Sequence, residues 1–370
     1  APPQAESRVR LDGAALMPGL VNAHTHLELS YLRGAVPRAA RFTDWVRDLM
    51  RLRRTRDGST PEAQQAIADA IAEARAAGTA VIGDVSNTLA SVPALEQSGL
   101  AAHVFFELLR FTGADAEEVY RAAVERLTSL PPSPRVTVTL APHAPYSVSA
   151  ALFRLIRNHL GSTGRTTVHL CESEEECELV AKGVGPWRGL LQELNAWDAS
   201  WTAPGVSPVE YLDSLGFLDA GTLVVHGVHA RDPDLARIRA RGATLVTCPR
   251  SNRHVGVGSP PVARFYDSGV PVAVGTDSLT SAPDLNLFAE LAEMRRLAPG
   301  VPARRLLESA TLVGARALGL EDHGVIAPGA RAEVIAVTVP PDVPDVEEYL
   351  VSGIEPEQIR WPLAPHVSTR

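Results

Sequence analysis

Two histidines, His24 and His26, stand one residue apart in the run NAHTHLE. On an extended chain alternate side chains project to one face, so both imidazoles can reach a single ion. Two histidines in a polar turn share this spelling, and the pair gains meaning only from what answers it. Three later residues of ligand type do so, His169, His226 and Asp277, each at the end of a short apolar or β-branched run. Several imidazoles and one carboxylate around an open position form a catalytic set for one divalent transition metal, with zinc the default and iron or manganese the alternatives. The chemistry such a set supplies is the activation of water for hydrolysis.

Residues so far apart in sequence need a scaffold that gathers them. Eight strand readings run from end to end: Leu16 to His24, Ala80 to Ser86, His103 to Leu109, Val136 to His143, Thr167 to Glu172, Leu223 to His229, Ala243 to Pro249 and Val270 to Asp277. Helical-period segments lie between them, such as Pro61 to Ala77, Ala116 to Leu130, Ala150 to Leu160, Pro233 to Ala240 and Leu285 to Leu297. The alternation predicts an α/β fold, and eight strand–helix pairs predict a (β/α)8 TIM barrel. The titratable residues His24, His26, His143, His169, Glu172, His226 and Asp277 then fall at strand ends, which a barrel brings to one face. A doubly wound sheet also binds ligands at strand ends but does not close them into a ring.

Residues 16–318 are expected to form the barrel, and residues 1–15 and 319–370 a small, incomplete β subdomain with a tail. Gly324 to Thr338 reads as a turn-rich hairpin after a last helix near Pro302 to Leu318, and Ser7 to Leu11 is the segment available to pair with it. The chain begins without Met and enters an apolar run at Ala14, so a missing N-terminal segment is expected. The Pro-rich stretch from Pro340 carries no visible chemistry. Between the fifth and sixth strands, Glu172 to Leu218 is long enough for a lid, and Trp187, Trp197 and Trp201 lie in it.

Composition narrows the function. The 370 residues carry 35 Lys and Arg against 43 Asp and Glu, a net charge of −8, so no broad basic field exists to collect nucleic acid. Three cysteines, Cys171, Cys177 and Cys248, are too few and too scattered for a disulfide framework. No apolar run reaches the length of a membrane span, and no signal peptide is spelled at the start, so a cytoplasmic enzyme with a small-molecule substrate is expected.

Taken in order, PGLVNAHTHLE, APHAPYSVS, HLCESEEE, VVHGVHA, CPRSNRHVGVG and GTDSLTSAPDLNLFAEL resemble successive motifs of the amidohydrolase superfamily, in its cytosine deaminase and chlorohydrolase-like branch. The resemblance spans about Leu16 to Val337. It implies that His24, His26, His169 and Asp277 hold the metal, and that His226 rather than His229 lies beside it and hydrogen-bonds its water. Binuclear members use a carboxylated lysine at the end of the fourth strand. This chain has His143 there, and its single lysine, Lys182, lies outside any strand reading, so one ion is expected.

Glu172 matches the HxxE motif of the branch's aromatic-base deaminases, which implies a proton shuttle to the ring nitrogen. Most of the acidic run that Glu172 opens, with Glu174, Glu175, Glu176 and Glu178, reads as a solvated helix start. Asp277 with His226 would take a proton from metal-bound water, hydroxide would add to the amino-bearing carbon, and ammonia would leave. His143 matches a substrate-contacting position, and Asn252 and Arg253 are candidates to line the pocket.

The texture after HLCESEEE is most similar to the 6-aminodeoxyfutalosine deaminases of the futalosine route to menaquinone. Their substrate is an adenine nucleoside with a benzoate-bearing 5′ end, which calls for a cation, with Arg110, Arg188 or Arg253 as candidates. The alternatives are an adenosine- or S-adenosylhomocysteine-type deaminase, a cyclic-amide hydrolase of the same fold, and a metal-binding scaffold without turnover. A homodimer is common among relatives, and no feature of the sequence marks an interface for one.

Overall fold

The computed structural model describes residues 9–363. Strands β2 (Leu20–Thr25), β3 (Thr79–Ser86), β4 (Ala101–Leu108) and β5 (Val136–Pro142) run parallel in one array, and β6 (Thr166–Leu170), β7 (Thr222–His226), β8 (Thr244–Thr247) and β9 (Val272–Val274) in a second. Two seams join them into a ring. At one, the His169 N–H donates to the His143 carbonyl at 2.9 Å; at the other, the Thr276 and Asp277 N–H groups donate to the His24 carbonyl at 3.1 and 3.0 Å. The result is the (β/α)8 barrel anticipated. Its strands are buried on both faces, which is why runs such as TAVIGDVS carry so few charges.

Beside the barrel, β1 (Ala14–Pro18), β10 (Val334–Thr338) and β11 (Ile359–Arg360) form an antiparallel sheet. Three expectations are corrected here. The first strand reading, Leu16 to His24, is two strands broken at Gly19, where a Cβ would come within 2.5 Å of the Ala80 Cβ. The chain can pass this close to β3 only because that carbon is absent. Of the proposed partner segment, Ser7 lies outside the described residues and Val9 to Leu11 form no strand, so β1 takes its place. In the hairpin reading only Val334–Thr338 is a strand; its neighbours are β1 and β11, the latter drawn from the Pro-rich end. Trp361 locks that end down by donating to the Arg75 carbonyl at 3.1 Å.

Glu172 to Leu218 folds into the helices Glu174–Lys182, Pro186–Glu193 and Pro208–Ser214. Ser173 and Ser207 cap the first and third through their hydroxyls. The tryptophans do not form a core of their own. Trp187 stacks on Tyr146 with centroids 3.8 Å apart and meets the Phe42 ring edge-on, while Trp197 and Trp201 pack on Phe111. The insertion thus walls one side of the barrel mouth. Helix α1 (Phe42–Thr55), packed against it through Phe42, lines the mouth as well. No helix among the described residues is long and apolar enough to cross a membrane.

Candidate metal centre and active site

His24 ends β2 with its imidazole fully buried, and neither ring nitrogen has a hydrogen-bond partner. A buried polar atom left unpaired costs about 1–3 kcal/mol, so two on one ring need a ligand to explain them. The donors around it supply the reason. Ligand atoms of His24, His26 and Asp277 lie within 4.8 Å of one another, as do those of His24, His169 and His226. His26 Nε2 is 3.3 Å from His169 Nε2 and 3.7 Å from Asp277 Oδ1, and His24 Nε2 is 3.8 Å from the same oxygen. Two imidazole nitrogens at 3.3 Å repel unless a proton or cation is shared. The set fits a single divalent transition metal held by His24, His26, His169 and Asp277.

The surroundings hold these groups in ligand form. Burial pushes the His24 and His169 imidazoles well below their ordinary range, and neighbouring histidines push them further. Burial also raises the Asp277 carboxyl, but the imidazoles of His26 and His226 and a 2.6 Å hydrogen bond from Ser251 Oγ outweigh it, and the group lies below the usual carboxylate range. The Ser278 N–H donates to its other oxygen at 2.7 Å. The His169 Nδ1–H donates to the His143 carbonyl at 3.1 Å, leaving Nε2 as the free donor atom. Asp277 and His226 sit at φ of 60° and 74°, a region that costs a side-chain-bearing residue about 1–3 kcal/mol.

Glu172 follows β6. The Glu176 carboxylate accepts the backbone N–H groups of Cys171 and Glu172, each at 2.9 Å, and folds the strand end inward. Glu176 is therefore buried, while Glu174 is exposed and Glu175 and Glu178 are half-buried in the helix that begins at Glu174, so most of the acidic run reaches solvent and Glu176 is the exception. Burial raises the Glu172 carboxyl well above its ordinary range, reinforced by the charges of Asp277 and Glu176. Its Oε1 lies 3.5 Å from His226 Nε2. Burial lowers His226 to about 4, so the ring is neutral. Asn252 Nδ2 donates to His226 Nδ1 at 3.0 Å, which places the single ring proton on Nε2, facing the site. In this tautomer His226 turns a donor toward the site.

These groups open into a cavity of about 540 Å³. His143 lines it, with Nδ1 bonded to Ser147 Oγ at 2.7 Å, and Arg110 stands at its mouth beside Asp115. Asn252, expected on the pocket wall, stands instead behind His226 and away from it. Arg253 pairs with Glu293 and Arg188 covers Trp197, so neither lines the cavity. His229 bonds the Val257 carbonyl, and Lys182 is an exposed surface residue near Glu178. Sequence reading missed Arg53, Arg54 and Glu107, which do line the cavity. The two arginines lie in RLRRT, a stretch that reads as an ordinary solvated helix face, and Glu107 lies inside the apolar run VFFELL.

With this geometry in hand, the comparisons with known proteins are specific. The amidohydrolase family model matches residues 15–355. The aminodeoxyfutalosine deaminase of Deinococcus radiodurans is 34% identical over 86% of this chain and 76% of its own. The 5-methylthioadenosine/S-adenosylhomocysteine deaminase of Teredinibacter turnerae is 30% identical over 89% of this chain and 73% of its own. Among solved structures, the zinc-bound adenosine deaminase of Xanthomonas campestris superposes with a TM-score of 0.79 at 27% identity, covering 94% of this chain and 78% of that one. The Helicobacter pylori aminofutalosine deaminase in complex with methylthio-coformycin does so with 0.78 at 28%, covering 92% and 83%. A family match over residues 15–355, together with relatives at 34% and 30% identity, makes the chain a member of the amidohydrolase family.

Proposed function

We propose that this enzyme is a metal-dependent hydrolytic deaminase of an adenine nucleoside, and that its substrate is 6-aminodeoxyfutalosine. The observation that carries the reaction type is Glu172: a buried carboxyl whose protonated form burial favours, set beside an imidazole N–H and a held-ionised Asp277. A bound ion supplies acidified water as the nucleophile. The chain's own groups then move the protons. Glu172 gives its proton to the ring nitrogen beside the amino-bearing carbon, which makes that carbon electrophilic. Asp277 takes one proton from the water as its oxygen bonds to the carbon, and the His226 Nε2–H orients that oxygen. Asp277 passes its proton to the amino group, the C–N bond breaks and ammonia leaves. The hydroxyl proton returns to Glu172 as the ring carbonyl forms. Atoms balance, and the enzyme ends as it began.

Support for the particular nucleoside comes from the relatives in Deinococcus and Helicobacter and from the cavity mouth. Arg53, Arg54 and Arg110 line it, and among the described residues Arg54 makes no ion pair. A carboxylate-bearing 5′ substituent reaching out of the barrel would meet that cation. The test is ammonia release from 6-aminodeoxyfutalosine, adenosine, S-adenosylhomocysteine, guanine and cytosine by metal-loaded protein. The expected result is a kcat/KM for the first compound well above the rest. Preference for S-adenosylhomocysteine would keep the reaction and change the substrate; silence on all five would refute both.

A further inference from the structure

Of the three carboxylates that line the cavity, the proposed chemistry uses Glu172 and Asp277 and leaves Glu107 without work. Glu107 lies near the end of β4 and is 5% exposed. One of its oxygens, Oε2, accepts Asn87 Nδ2 at 2.8 Å, and Asn87 is held in turn by Arg53 Nη1 at 3.2 Å. The other, Oε1, is buried and has no hydrogen-bond partner. The nearest candidate is His169 Nδ1 at 3.5 Å, but its one proton goes to the His143 carbonyl. The fold therefore fixes an oriented acceptor, buried in the wall of the cavity that Glu107 lines, and provides no donor for it.

A cation and a hydroxyl are the two kinds of partner to weigh. Ligand atoms of Glu107, His143 and His169 lie within 4.8 Å of one another, which would suit a second ion. His169 Nδ1 is already protonated for its carbonyl, however, and His143 Nδ1 is engaged with Ser147, so this group cannot turn a full set of lone pairs on a metal. A substrate donor remains. His169 turns Nε2 to the metal set and Nδ1 toward Glu107, so Oε1 stands one imidazole ring away from the reacting centre. With the amino-bearing carbon at that centre, the sugar is the part of a nucleoside displaced from it on such a scale, and its neighbouring hydroxyls are neutral donors. We propose that Glu107 Oε1 receives the vicinal hydroxyls of the nucleoside sugar and so selects nucleosides over free bases and over sugar-deoxygenated analogues. This rests on the nucleoside deaminase reading above.

The test compares adenosine with 2′,3′-dideoxyadenosine in wild type, Glu107→Gln and Glu107→Ala, each with its metal content measured. A carboxylate accepting hydroxyls is a charge-assisted bond, so wild type is expected to prefer adenosine in kcat/KM by roughly tenfold or more. Both variants are expected to lose that preference through KM, with kcat and the activity on the dideoxy compound little changed and metal content near wild type. Equal losses on both compounds, or a wild type that does not discriminate, would overturn the assignment, as would lowered metal content in both variants, which would make Glu107 a support for His169. A wild type that deaminates neither adenosine nor 6-aminodeoxyfutalosine would instead overturn the nucleoside reading and this inference with it.

Discussion

Replacing Glu172 with glutamine removes one proton and almost nothing else. The side chain is 3% exposed and fits its space, so the amide occupies the same volume beside His226. What it cannot do is give a proton to a ring nitrogen. General acid–base catalysis by a positioned group is worth about 10²–10⁴ in rate. We place Glu172 at the middle of that range, since burial first, and the charges of Asp277 and Glu176 next, raise its carboxyl and favour the form that can act as an acid. The expected effect of Glu172→Gln is a fall in kcat of about 10³, or about 4 kcal/mol, with KM within a few-fold of wild type.

The pH profile gives a second readout. A carboxyl with a raised pKa is active in its protonated form, so wild-type activity falls as pH rises through that value; the residual activity of the variant lacks this limb. Ammonia release coupled to glutamate dehydrogenase measures both, with metal content as the control. A loss below tenfold with metal retained, or an unchanged alkaline limb, would show that Glu172 is not the acid.

Other outcomes follow from the same geometry. His24→Asn is expected to reduce bound metal from about one ion per chain to well below half by elemental analysis, and chelation of wild type to lower its melting temperature reversibly, since a ligand at 100 times its dissociation constant contributes about 2.7 kcal/mol. Asn252→Asp places an acceptor opposite His226 Nδ1 and so moves the ring proton off Nε2; kcat is expected to fall by about 10² or more, and Asn252→Gln to restore part of it. Arg54→Ala is expected to raise KM for 6-aminodeoxyfutalosine roughly tenfold and leave adenosine unchanged; equal effects would remove Arg54 from carboxylate recognition.

Acid stability tests His103, which burial lowers to about 4 despite its hydrogen bond to the Leu318 carbonyl. The unfolded chain, with an ordinary histidine near 6.5, binds more protons between these values, so stability is full above about 6.5 and falls as pH drops toward 4. Urea unfolding at pH 7 and 4.5 is expected to show His103→Gln losing about 2–3 kcal/mol less than wild type across that interval.

The clustering of the proposed metal set was readable because His169, His226 and Asp277 each end an apolar run, where a histidine or aspartate stands out, and a barrel allows only one place for eight strand ends to meet. Glu172 was readable through its distance of three from His169. The break at Gly19 was not, because the runs on either side of it are equally apolar and only the contact with Ala80 shows that a residue without a side chain is required there. Asn252 serves His226 across a separation of 26 residues, and no local spacing encodes that. Glu107 and Arg54 were hidden for opposite reasons: the carboxylate by its greasy neighbours, the arginine by its charged ones. Both gain meaning only from the cavity between β4 and α1.

The two seams of the barrel have a mechanical consequence. His169 starts the seam to His143, and the His24 carbonyl closes the seam to Thr276 and Asp277, so the residues fitted to hold the ion are the ones at which the two half-barrels meet. An ion bound by His24, His26, His169 and Asp277 therefore acts as a rivet through both joints of the hoop. Demetallation should loosen the hoop at its joints before its staves, and amide exchange at His169, Thr276 and Asp277 should quicken ahead of the mid-strand amides of β3 and β4.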